Sequence, residues 1–111
     1  MTIINLTPHK INIVDEEGNV IKVFESKGVA RAMQKDVEIG ILEGIPIIET
    51  DFGDPIDLPE YDKGTHYIVS ALTAKAADLS GRNTRELFLT GKTVRNSDGQ
   101  IIGCQALAKY K

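Results

Sequence analysis

The sequence predicts an α+β protein that is mostly β, with about eight short, mainly antiparallel strands and one helix near residues 71–79. Most apolar segments are only a few residues long and rich in β-branched side chains, which is typical of strands. Gly, Pro, Asn and Asp separate these segments at intervals that favour hairpins. A single alanine-rich stretch, residues 71–79, has high helix propensity. We expect the strands to form a sheet or a partly closed barrel.

The first half of the chain predicts short strands separated by turns. Lys10-Ile11-Asn12-Ile13-Val14 alternates polar and apolar residues, and a second apolar segment at residues 20–24 follows a turn that contains Gly18. Residues 10–24 therefore predict a hairpin. Pro46 cannot donate a ladder hydrogen bond, so its strand should lie at a sheet edge or begin at this residue. The other predicted strands of this half cover residues 3–6, 30–36, 37–41 and 45–50.

The second half of the chain holds the predicted helix between strands. Ser70 is placed to cap its start, and Gly81 suits the left-handed position that follows a helix. Leu72, Ala76 and Leu79 share one helical face, which we expect to be buried. The predicted strands of this half cover residues 65–69, 87–90, 92–95 and 100–107, with a hairpin turn at residues 96–99.

Composition excludes several classes of protein. The 111 residues fit a single domain, residues 1–111. A net charge of −3 argues against a partner made of duplex nucleic acid. No apolar run approaches the ~20 residues that a membrane span needs, and the N-terminus has no signal-peptide pattern, so we expect a cytoplasmic protein without a membrane partner. Cys104 is the only cysteine, which excludes an internal disulfide and a multi-cysteine zinc site.

The charge is divided unevenly between two parts of the chain. Residues 1–62 carry 13 acidic and 5 basic side chains, whereas residues 63–111 carry 3 acidic and 8 basic ones. Such asymmetry is found at anion-binding faces. It also arises when two halves of a small fold pair their charges. Three of the four arginines lie within residues 82–95, and a guanidinium matches a phosphate or carboxylate better than a lysine does.

These observations define a candidate ligand site. Ser70 marks a helix start, where unpaired backbone N–H groups and the helix dipole favour an anion. Thr7-Pro8 restricts the backbone before His9, which could hydrogen-bond a ligand. Each feature also has a plain structural alternative: an ordinary cap, a turn histidine, or solvated surface charge. The candidate ligand-binding residues are Ser70, Arg82, Asn83, Thr84, Arg85, Arg95 and His9.

We therefore expect a non-enzymatic protein that binds a small anionic, nucleotide-like ligand without a cofactor. Arg82 and Arg85 leave the helix at the end opposite Ser70. They reach the same anion only if their loop folds back or a neighbouring subunit supplies them. The hypothesis therefore also predicts a homo-oligomer, because association would deepen the pocket.

Two other functions remain open. The acidic segment at residues 51–62, with Phe52 and Tyr61, favours a protein–protein interaction module that inhibits or regulates a bacterial protein. It belongs to a long predicted loop at residues 51–64. The second alternative is a small hydrolase that uses His9 or His66 as a base. No spacing typical of a metal or calcium site is present, so we expect no metal.

A series of short motifs carries a resemblance over nearly the whole chain. The most specific is the opening Asn5-Leu6-Thr7-Pro8-His9, and the others are Gly44-Ile45-Pro46, Thr50-Asp51-Phe52-Gly53, Tyr67-Ile68-Val69-Ser70, Gly81-Arg82, Val94-Arg95 and Gly99-Gln100-Ile101-Ile102-Gly103-Cys104. In this order they resemble a family of small uncharacterised bacterial and phage proteins, although that family often has proline where this chain has Lys10. The resemblance implies a stand-alone domain in a phage or mobile-element setting, and no assigned activity. A phage protein of this kind would act in the host cytoplasm, for instance by sequestering a host defence signal.

Overall fold

A computed structural model describes residues 2–111 and confirms the predicted fold class, mostly β with a single helix in the described range. The antiparallel ladders are the long ones, although the main sheet is mixed. The elements are β1 (Thr2–Asn5), β2 (Ile11–Val14), β3 (Val20–Phe24), β4 (Arg31–Leu42), β5 (Ile45–Ile56), β6 (Thr65–Ile68), α1 (Ala71–Leu79), β7 (Leu87–Arg95) and β8 (Ile101–Lys109).

Six strands form one sheet in the order β1-β6-β7-β8-β2-β3. The pairs β1/β6, β6/β7 and β2/β8 are parallel, while β2/β3 and β7/β8 are antiparallel. Helix α1 connects the parallel neighbours β6 and β7, since a parallel pair needs a crossover rather than a tight turn.

The sheet is partly closed at one end by contacts between its two outer strands. Asn5, the last residue of β1, forms a parallel bridge with Ser26, just beyond β3. The Lys27 amide donates to the Asn5 carbonyl oxygen at 2.9 Å, and the Asn5 side-chain amide donates to the Phe24 carbonyl oxygen at 3.0 Å. The partly closed barrel is therefore the better of the two predicted descriptions.

The core lies between the sheet and one face of α1. Its members are small or medium apolar residues: Leu6, Ala30, Tyr67, Val69, Ala74, Ala77 and Leu87. Of the helix face predicted from Leu72, Ala76 and Leu79, Ala76 is buried but the two leucines are exposed, and Thr73, Ala74 and Ala77 complete the buried face. Small side chains let the helix approach closely, so alanines and not leucines occupy the interface.

Strands β4 and β5 form a separate two-stranded antiparallel ribbon, which we call the arm (residues 31–56). The predicted strands 30–36 and 37–41 merge into β4, which passes through two register shifts. Strand β5 continues to Ile56, so the connection before β6 is shorter than predicted. Glu43 and Gly44 both adopt positive φ, at 52° and 76°. A two-residue hairpin turn needs positive φ at both positions so that its twist matches the twist of the two strands.

Candidate functional site

A cleft lies where β2 separates from β8, and we call it the β2–β8 cleft. It has a volume of about 430 Å³. The two strands are in register only at Ile13 and Cys104, and they diverge toward the start of β2. Its lining residues are His9, Lys10, Ile11, Asn12, Thr90, Thr93, Ile101, Ile102, Gly103 and Cys104.

Gly103 lies where β2 and β8 approach each other at the end of this cleft. A Cβ atom at this position would lie 2.9 Å from both the Asn12 carbonyl oxygen and Val14 Cγ1, closer than real Cβ contacts allow. The absent side chain therefore lets β2 approach β8 here. The Asn12 side-chain amide donates to the Ile102 carbonyl oxygen at 3.3 Å and crosses the gap where the strands separate. Sequence reasoning placed Gly103 in a strand but did not identify this role.

His9 reaches the edge of the cleft through a turn that is built around buried Asn5. The Asn5 side chain is 1% exposed, and its amide donates to the His9 carbonyl oxygen at 2.8 Å. Its Oδ1 accepts the Thr7 backbone N–H at 2.9 Å, and Ser26 Oγ donates to the Thr7 carbonyl oxygen at 2.6 Å. The motif Asn5-Leu6-Thr7-Pro8-His9 thus has a structural purpose, because a buried amide has to satisfy its hydrogen bonds locally.

The lining of the β2–β8 cleft combines positive, hydroxyl and apolar groups. Lys10 contributes an ammonium and His9 an imidazole, while Thr90 and Thr93 contribute hydroxyls. Ile11, Ile101 and Ile102 are its apolar lining residues. Among the described residues, no Asp or Glu lines it. Lining residues of these kinds suit a ligand that has both an anionic and an apolar group.

Cys104 lies at the floor of this cleft but is poorly suited to nucleophilic attack. The residue is buried, as the sequence predicts, and burial raises the pKa of its thiol above the usual value. A raised pKa keeps the sulfur protonated near neutral pH, whereas the thiolate is the nucleophile. His9 also lines the cleft, but it is not among the groups that lower the pKa of the Cys104 thiol.

Ser70 caps α1 in the way the sequence predicts. Its Oγ accepts the Thr73 backbone N–H at 3.2 Å. The Thr73 hydroxyl in turn donates to the Ala30 carbonyl oxygen at 3.1 Å, which ties the helix start to the residue before the arm. This geometry is that of an ordinary N-cap. A ligand at this helix start stays a prediction.

The sequence left open whether the three candidate arginines meet, and within one chain Arg85 and Arg95 are far apart. Arg82 is 15% exposed; its guanidinium pairs with Glu86 and donates to the Pro59 carbonyl oxygen. Arg85 precedes β7, and Arg95 ends it with a hydrogen bond to the Gly99 carbonyl oxygen at 2.7 Å. A nine-residue strand spans roughly 30 Å at ~3.4 Å per residue, so Arg85 and Arg95 lie near opposite ends of the sheet.

Asn83 and Thr84 shape the turn that precedes β7. Asn83 Oδ1 accepts the Arg85 backbone N–H at 2.9 Å, and the Thr84 carbonyl oxygen accepts the Leu87 backbone N–H at 3.1 Å. Both residues therefore hold the backbone in place. A ligand role for either one stays a prediction.

A second, smaller cleft of about 170 Å³ lies beside His66. Lys63, Arg85 and Glu86 are among its other lining residues. His66 stacks on Phe88 with ring centroids 4.9 Å apart, and its Nδ1 makes no hydrogen bond to the protein. Glu86 is 2% exposed, and its Oε2 is likewise without a partner among residues 2–111. Sequence reasoning missed Glu86, because Arg82 and Glu86 lie in a non-helical segment, where no regular spacing predicts an ion pair.

No family model matches the chain, and no curated protein or solved structure matches it either. The resemblance described for the sequence motifs therefore stays a prediction. Within residues 2–111, no three or more His, Cys, Asp and Glu side chains are grouped closely enough to hold a metal ion. The described chain also has no helix of the length and apolarity that a membrane crossing requires.

Proposed function

We propose that this protein is a non-enzymatic binder of a small anionic, nucleotide-like ligand, and that the β2–β8 cleft is its site. The observation that carries the proposal is the lining of that cleft, in which Lys10 and His9 occur together with two threonines and three isoleucines. Its volume of about 430 Å³ falls in the range of pockets that take small organic ligands. A nucleotide offers both an anionic phosphate and a flat base, which match the two kinds of lining.

The proposed site lies in the β2–β8 cleft and not at the start of α1, where the sequence analysis expected it. Only some of the candidate ligand-binding residues are near this cleft. His9 lines the cleft, and Arg95 is paired with Ile101, which also lines it. Arg82 and Arg85 lie elsewhere in the same chain, so they would contribute only through a neighbouring copy. The protonated thiol of Cys104 supports binding over thiolate catalysis in this cleft.

Isothermal titration calorimetry with a panel of nucleoside monophosphates and cyclic dinucleotides tests the proposal, with the matching nucleosides as uncharged controls. At least one anionic member should bind more tightly than its nucleoside. Lys10→Gln should weaken that binding about tenfold or more, since one charge-assisted contact contributes roughly 1.5–3 kcal/mol. Thr93→Val removes a hydroxyl at nearly constant volume and should weaken it less.

Lys109→Gln is the matched control, because Lys109 ends β8 and does not line the cleft. It should leave the affinity unchanged. If no anion of the panel binds, or if Lys10→Gln and Lys109→Gln have equal effects, the cleft is not an anion site.

A further inference from the structure

The arm exposes an unusual amount of apolar surface. Ile39, Ile41 and Leu42 are 60%, 68% and 66% exposed, and the returning strand adds Ile45 and Ile48 at 59% and 51%. With the other exposed apolar residues of β4 and β5, these residues expose roughly 900 Å² in all, spread over the two faces of the arm, and exposed apolar patches of several hundred Å² mark interaction sites.

This apolar surface covers both faces of the ribbon near its tip. Directly paired residues share a face, so Ile41 and Ile48 lie on one side, whereas Leu42, Ile45 and Ile47 lie on the other. A ribbon that folds onto its own domain can bury only one face. Two apolar faces are typical of a strand pair that is covered from both sides.

The arm also lacks the support that a two-stranded ribbon needs. The described chain attaches it to the domain through contacts of α1 with both strands, and Thr50, Asp51 and Phe52 of β5 lie beside the helix. Beyond that base, its outer strand edges have no strand neighbour among residues 2–111. An isolated two-stranded ribbon is only marginally stable in water, and its open edges are templates for pairing.

We propose that the arm is an assembly element whose apolar tip is covered by a second copy of this chain, with the arm of each copy lying on the body of the other. The apolar area is close to the ~800 Å² that one partner contributes to a stable interface. Residues 31–56 carry six acidic and two basic side chains, a net charge of −4, whereas the rest of the chain has a net charge of +1. This complementarity favours arm against body over two acidic arms against each other. Reciprocal exchange closes the assembly by two-fold symmetry.

The test is the mass of the full chain in solution, measured by sedimentation velocity over a wide range of protein concentration. The wild type should be a dimer. Ile41→Thr combined with Ile45→Thr removes one apolar side chain from each face and keeps β-branched residues in the strands. This variant should raise the dissociation constant of the assembly at least about 100-fold.

Ile41→Val combined with Ile45→Val is the matched control, because it keeps an apolar β-branched side chain at the same two positions of the arm. It should retain the wild-type association. Circular dichroism checks that the arm variant is folded; if it is not, Glu38→Lys combined with Glu49→Lys tests the same arm by reversing its charge and should also weaken association. A wild type that remains monomeric, alone or with another protein captured on the arm, overturns the proposal. The proposal is also overturned if the arm variants associate as tightly as the wild type. It is overturned as well if the arm variant and the control lose the same amount of affinity for a second copy.

Discussion

Arg82 should be important for stability, and Arg82→Met is the substitution that shows it. Methionine keeps most of the aliphatic stem but removes the guanidinium that pairs with Glu86 and donates to the Pro59 carbonyl oxygen. Glu86 is 2% exposed and one of its oxygens is already without a partner, so the substitution leaves a buried carboxylate with neither oxygen paired.

Removing one member of a buried ion pair costs about 3–5 kcal/mol, and the partial exposure of Arg82 places the expected loss near the lower end, at about 3 kcal/mol. The two lost contacts with backbone carbonyl oxygens, those of Pro59 and Asn83, together add about 1 kcal/mol. The total is about 4 kcal/mol, and for a domain of this length each kcal/mol corresponds to roughly 4 °C in Tm, so the melting temperature should fall by about 16 °C.

Urea denaturation followed by far-UV circular dichroism measures this loss, since the chain has no tryptophan to report by fluorescence. Arg95→Met is the matched control: Arg95 is exposed and its side chain makes one hydrogen bond, to the Gly99 carbonyl oxygen. It should cost less than about 0.5 kcal/mol. The double variant Arg82→Met with Glu86→Leu should recover part of the loss, because it removes the buried charge as well. Equal losses in Arg82→Met and Arg95→Met would refute the reasoning.

Three further substitutions and one labelling experiment probe the architecture. Asn5→Ala removes the amide that donates to the His9 and Phe24 carbonyl oxygens and the Oδ1 that accepts the Thr7 backbone N–H, and it should cost about 2–3 kcal/mol in a urea titration. Gly103→Ala forces β2 away from β8; it should destabilise by about 1–3 kcal/mol and weaken any ligand of the β2–β8 cleft, and unchanged calorimetry would contradict the role given to this glycine. Ser70→Ala should cost about 1 kcal/mol by thermal melting, the value of an N-cap. Cys104, buried with a raised pKa, should react with a thiol reagent at neutral pH far more slowly in the native than in the urea-unfolded chain.

Local structure followed closely from the sequence, because it depends on neighbours along the chain. The turn at Glu43-Gly44 requires positive φ at both residues, and glycine with a preceding polar residue supplies it. The cap at Ser70 and the helix that it begins have the same local origin. The β-rich class follows from many such segments taken together, and the structure confirms it.

Two features of the candidate site could not be derived from local patterns. The β2–β8 cleft depends on a parallel contact between Ile13 and Cys104, residues far apart in the chain. The three arginines of residues 82–95 are close in sequence, but an extended strand places Arg85 and Arg95 at opposite ends of the sheet. Proximity along a strand is a poor guide to proximity in space, because each residue adds ~3.3 Å of length.

The amino-acid order thus determined the turns, the helix, the strand-rich composition and the isolated cysteine, all of which follow from the conformational preferences of single residues and their immediate neighbours. The tertiary structure decided which strands are parallel, where β2 and β8 separate, that Arg82 is held by Glu86, and that an apolar arm extends from the domain. The reason is physical: strand pairing and burial are set by contacts between residues distant in the chain, and no local preference specifies them.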